Sequence, residues 1–102
     1  MSRTKNSITL VCYDITSDKL RSKIDKCMKD FGVRMQHSVF LCHLDIDGVE
    51  RCRDKLDKVL KLYHNIKEPG DSLIMFERFN LSVAVCILGE RLKFEEPTFE
   101  IF

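Results

Sequence analysis

A chain of 102 residues, 44% apolar and 32% charged, has the composition of one ordinary globular domain and is too short for two. No stretch approaches the roughly 18 consecutive apolar residues of a membrane span. The opening Met-Ser-Arg-Thr-Lys-Asn lacks the apolar centre of a signal peptide, so the expected compartment is the cytoplasm, with no membrane partner. Net charge is only +1 but uneven: residues 1–40 carry eight Lys/Arg against four Asp, residues 41–102 nine Lys/Arg against twelve acids.

Residues 1–7 read as a short flexible leader. The run Ile8-Thr9-Leu10-Val11-Cys12-Tyr13 is β-branched and apolar enough for a buried strand, and Asp14 closes it. Thr16-Ser17 offers an N-cap and Asp18 favours the positive end of a helix. Leu20, Ile24, Cys27, Met28 and Phe31 then recur at helical spacing, and Gly32 reads as the C′ stop. Val33 to Leu44 reads as one long strand, with Met35, His37, Val39 and Leu41 on one side and Arg34, Gln36, Ser38, Phe40 and Cys42 on the other. Asp47-Gly48-Val49-Glu50 resembles a capping box. Val49, Cys52, Leu56, Val59, Leu60 and Tyr63 form the stripe of a second helix, which Pro69-Gly70 closes off. Ser72 to Phe79 and Leu81 to Leu88 read as strands, and residues 90–102 as a tail ending in a short apolar strand at 98–102.

The order is read as β-α-β-β-α-β plus an extra C-terminal strand. This is an α+β, ferredoxin-like single domain over residues 1–102, its antiparallel sheet covered by two helices. Several strands are apolar on both faces, although two helices cover only one. A homodimer through the open sheet face is therefore expected, with the tail strand pairing with the partner chain.

Five cysteines are present, at 12, 27, 42, 52 and 86, and no two lie within four residues of each other. That spacing excludes a CxxC zinc or redox motif and leaves them as small buried hydrophobes. His37, His43 and His64 have no Ser or Cys partner in sequence, so no nucleophilic triad is expected. Asp14 sits at the rim of the sheet beside the basic N-terminal region. It reads either as a ligand for a hard cation such as Mg2+, paired with its copy across a two-fold axis, or as a loop cap or partner for Arg21. Lys19, Lys23, Lys26 and Lys29 fit a solvated helix face or phosphate contacts.

Tyr13-Asp14-Ile15, Arg21, Gly32 and Arg34-Met35-Gln36-His37-Ser38-Val39-Phe40, with Asp71–Phe76 and Ile87-Leu88-Gly89, resemble the signature of the CRISPR-associated Cas-two family. The resemblance spans residues 8–102. It implies a small dimeric adaptation protein that joins the Cas-one integrase and holds spacer-precursor DNA. It also implies a Mg2+-dependent endonuclease activity on RNA or DNA, with Asp14 as the metal-binding and catalytic acid. Tyr13, Lys19, Arg21, Arg34, Ser38 and Phe40 are the nucleic-acid-binding positions it implies. VapD-like toxin ribonucleases and non-catalytic ferredoxin-like binding modules share the architecture. An RNA-recognition motif is disfavoured because its aromatic signature is missing.

Overall fold

The apolar run of the first strand becomes the middle of a sheet, hydrogen-bonded on both edges. The computed structural model describes residues 6–78. The elements are β1 (Ser7–Asp14), α1 (Asp18–Met28), β2 (Gly32–Gln36), β3 (Val39–Leu44), α2 (Ile46–Leu62) and β4 (Ser72–Glu77), with a 3-10 turn at His64–Ile66. The four strands form one sheet in the order β2-β3-β1-β4, and every pairing is antiparallel. This is the ferredoxin-like βαββαβ arrangement of an α+β fold. The strand expected over 81–88 and the tail over 90–102, with its pairing to a partner, lie outside the described residues. Ser7 pairs with Leu44, so β1 begins inside the stretch expected as a leader.

The segment 33–44 departs most from expectation, being two strands instead of one. Gln36 pairs with Val39 across the two-residue turn His37-Ser38, and the register shifts between Arg34 and Gln36. Tight two-residue hairpins usually rely on Gly or Asn at positive φ. Here neither turn residue has a positive φ; the bulge absorbs the mismatch instead. The hairpin supplies the adjacent β-β pair of the βαββαβ order, and it moves His37 from a strand face to an exposed turn.

Helix α1 starts as its sequence requires, with the Leu20 N–H donating to Ser17 Oγ at 3.1 Å. It ends earlier than the apolar stripe, at Met28 with Lys29 as C-cap; Gly32 opens β2 instead of closing the helix. The cap of α2 is Asp45, two residues before the expected Asp47, and its Oδ1 accepts the Gly48 N–H at 2.7 Å. The third expected strand ends at Glu77, where Arg78 turns out at φ 57°.

Alternation along the strands divides two apolar clusters between the two faces. On the helix side, Val11, Tyr13, Phe40 and Cys42 meet Leu20, Ile24 and Met28 of α1 and Cys52 and Leu56 of α2. On the other side, Ile8, Leu10 and Leu41 form a second cluster edged by Met35 and Val39. The same face carries Val33 opposite Leu41, Ile74 opposite Cys12 and Phe76 opposite Leu10. These three are about half exposed, at 55%, 50% and 46%.

Gly32 is required by close approach. A Cβ there would lie 2.3 Å from the Leu41 carbonyl oxygen and 2.6 Å from Cys42 Sγ. Gly32→Ala is expected to lower stability by about 1–3 kcal/mol, because backbone cannot yield as a side-chain tip does. Urea titration checks this. Burial also pushes the Cys42 thiol up to about 12 and that of Cys52 up to about 11, above the ordinary 9.0. The unfolded thiols ionise first, so their contribution is complete below pH 9 and is lost as pH climbs through 11 to 12. Urea midpoints at about pH 8 and about pH 10.5 are expected to differ, the alkaline one being lower.

Candidate functional site

Asp14 is the last residue of β1, opposite Ser72 of β4. Alternation from Tyr13 places it on the sheet face away from the helices, in line with Leu10 and Cys12. It is exposed, and its carboxylate has no hydrogen bond or ion pair among the described residues. Arg21, its proposed partner in the loop-capping alternative, is engaged elsewhere. The Arg21 guanidinium donates to the Ile15 carbonyl at 2.7 Å and pairs with Asp18.

The backbone around Asp14 is pinned from two sides. The Tyr13 N–H donates to the Ser38 carbonyl at 3.1 Å, carrying the β1–β3 ladder into the hairpin turn. After Asp14, the Thr16 N–H donates to Asp71 Oδ1 at 2.9 Å, while Asp71 Oδ2 accepts the Glu68 N–H at 2.9 Å. These backbone donors hold the Asp71 carboxyl below its ordinary value. In sequence Asp71 enters only as the first residue of the Asp71–Phe76 stretch, although an acid after Pro-Gly and before a strand is a recognisable turn signal.

Behind Asp14, on the helix side, lies a second arrangement. The Tyr13 hydroxyl donates to Asp25 Oδ1, and Arg34 reaches Asp25 Oδ2 at 3.1 Å. The Arg34 guanidinium also donates to the His37 carbonyl and lies 5.0 Å from the Phe40 ring centroid. Phe40 in turn stacks with Tyr13, centroids 6.3 Å apart and planes 15° from parallel. Burial, with the Asp25 hydrogen bond second, raises the Tyr13 hydroxyl well above its ordinary value. Asp25 joins α1 to the sheet and to the hairpin, yet in sequence it is one polar residue in an amphipathic helix.

The expected nucleic-acid positions therefore separate. Tyr13, Arg34 and Phe40 come together, but Phe40 is fully buried and Tyr13 only 5% exposed. Neither ring offers a face to a base in this chain. Ser38 is half-buried in the turn. Lys19 is exposed at the start of α1 and leans on Tyr63, 5.8 Å from its ring centroid. Of the histidines, His37 and His64 are exposed, and His64 Nδ1 lies 3.2 Å from the Lys61 carbonyl.

The sequence model for the CRISPR associated protein Cas2 matches residues 7–80. The chain belongs to the Cas2 family. It is 32% identical over 92 residues to a CRISPR-associated endoribonuclease Cas2 of Chloroflexus aurantiacus, covering 88% of this chain and 91% of that one. A second Cas2 endoribonuclease of the same organism is 36% identical over 67 residues, 66% of this chain and 67% of the relative. The crystal structure of a hypothetical protein from Thermus thermophilus superposes with a TM-score of 0.63 at 32% identity, covering 83% and 93% of the two chains. Streptococcus pyogenes Cas2 superposes at 0.62 and 24% identity, covering 80% and 99%, a likeness of fold.

Asp14 is the acid that the sequence singles out for a metal. No group of three His, Cys, Asp or Glu side chains capable of holding a metal occurs among the described residues. A single exposed, unpaired carboxylate does fit Mg2+, which keeps most of its waters and takes one or two protein oxygens. Asp25→Asn keeps the shape of this support but weakens its charge-assisted contacts. A loss of about 1–2 kcal/mol in urea unfolding is expected, the lower part of the range because both partners are partly exposed.

Proposed function

We propose that this Cas2 chain is a CRISPR adaptation protein that works as a homodimer, bridging a Cas-one integrase and the DNA from which spacers are made. The exposed Val33, Ile74 and Phe76 side chains on the face away from the helices support the dimer, because an apolar sheet face requires cover. The observation that carries the site is the unpaired Asp14 carboxylate, fixed at the strand end by backbone contacts on both sides. In a two-fold dimer each copy contributes one such carboxylate, and the two together would hold Mg2+. Such a metal, when bound, lowers the pKa of a coordinated water and screens phosphate charge. Lys19 and the free edges of Arg21 and Arg34 would meet phosphate, while Ser38 shapes the turn beside the acid. Tyr13 and Phe40 act from within, by holding Arg34 and the hairpin in place.

Hydrolysis is the subordinate activity. One acid per chain, with no histidine in contact with it, gives a weak general acid–base apparatus. No helix among the described residues is long and apolar enough to cross a membrane.

The deciding comparison is wild type against Asp14→Ala, with metal-dependent cleavage and spacer acquisition assayed in parallel. Metal-dependent cleavage of RNA or DNA is expected to fall by about 10²-fold or more, while folding, dimerisation and spacer acquisition persist. Acquisition lost in a folded, dimeric variant would refute the bridging role as primary. Cleavage unchanged in the variant would remove Asp14 from catalysis.

A further inference from the structure

The two helices leave a groove between their outward faces, on the side of the molecule away from Asp14. Its volume is about 410 Å³, the size of a site that accepts a few side chains. Lys23 and Lys26 of α1 form one wall and Lys55 and Lys58 of α2 the other. Each wall thus presents two ammonium groups one helical turn apart. Among the described residues none of the four is in a salt bridge, and Asp30 is the one acid at the groove.

The floor is of the opposite character. Cys27, Val59, Leu62 and Tyr63 line it, and Leu62 is 72% exposed, the most exposed large apolar side chain among the described residues. Four cations without a salt bridge among the described residues, set around an exposed apolar strip, call for two things at once: carboxylates and apolar area. A nucleic-acid strand satisfies only the first. Binding of single strands relies on bare aromatic faces for base stacking, but the Tyr63 ring already carries the Lys19 and Lys23 ammonium groups at 5.8 Å each. The walls also hold lysines alone, without the guanidinium forks that grip phosphate at two points.

From this groove we infer a docking site for an acidic amphipathic helix of a partner protein. Its apolar residues, spaced i, i+3/i+4 and i+7, would cover Val59 and Leu62, and its flanking glutamates would answer the two lysine walls. Such a helix lies in the furrow between α1 and α2 as a third rod lies against two. The site does not involve Asp14 and stands whether or not that acid is catalytic.

The probe is a fluorescein-labelled 18-residue peptide designed with leucines at those spacings and glutamates beside them, titrated against the full chain by anisotropy. Parallel amide chemical-shift mapping locates its site. Saturable binding is expected, with shifts confined to residues 23–30 and 55–63. Lys55→Glu with Lys58→Glu is expected to weaken it at least about tenfold, and Leu62→Ser by about tenfold. Lys67→Glu, outside the groove, is expected to leave it unchanged. Leu62 and the lysines are surface residues, and thermal melts of the variants confirm that the fold survives. Three results would overturn the inference. One is the absence of saturable binding. A second is equal binding of a scrambled peptide of the same composition, or indifference to Leu62→Ser. The third is a duplex DNA that displaces the peptide and binds wild type and Leu62→Ser alike, which would make the groove a phosphate site.

Discussion

Strand β1 has to be buried on four sides. Its two edges are hydrogen-bonded to β3 and β4. Its two faces carry apolar side chains, Val11 and Tyr13 toward the helices and Ile8 and Leu10 away from them. The amphipathic helices exist to satisfy one face, and their short stripes suffice for it. The other face is where the fold stops being self-sufficient, because half-exposed Val33, Ile74 and Phe76 extend the apolar surface beyond Ile8, Leu10 and Leu41. Leaving that much apolar area in water is costly at about 25 cal/mol per Å². The same strand that organises the monomer therefore also argues for a second copy.

The architecture was legible in the sequence wherever the signal was an apolar run or a period. The strands at Ile8–Tyr13 and from Ser72 were visible as apolar stretches, and both helices as 3.6-residue stripes. Failures occurred where backbone geometry decided. The hairpin at His37-Ser38 carries no Gly, Asn or Asp because its bulge, together with the Arg34 contact to the His37 carbonyl, replaces a positive-φ turn. Gly32 follows an apolar stripe like a helix stop, but it is a glycine because β3 backbone passes within contact of its α-carbon. Its neighbour Phe31 is part of the core outside the helix.

The candidate site was legible in part and for a similar reason. Asp14 stands out as a candidate because a carboxylate at the end of an apolar strand is conspicuous. Tyr13, Arg34 and Phe40 could be grouped by resemblance, but their relation to Asp25 could not. That relation spans α1, β1, β2 and β3 and has no short-range pattern. The rings at positions 13 and 40 look available in one dimension, and in three they are walls of the core. The role of Asp71, accepting two backbone donors from separate loops, appears only once the loops meet.

The contrast between Asp14 and Asp25 has a consequence for how such a chain can change. Asp25 is tied to two side chains, so its replacement is felt throughout the layer between helix and sheet. Asp14 is fixed by the peptide backbone on either side, while its own carboxylate has no hydrogen bond or ion pair among the described residues, so none of the described contacts depends on what that side chain is. Chemistry at the rim is thereby uncoupled from stability. On the proposed function, hydrolysis at Asp14 and the scaffold that carries it are therefore separable, and a cutting and a purely scaffolding form of this architecture would stand one substitution apart.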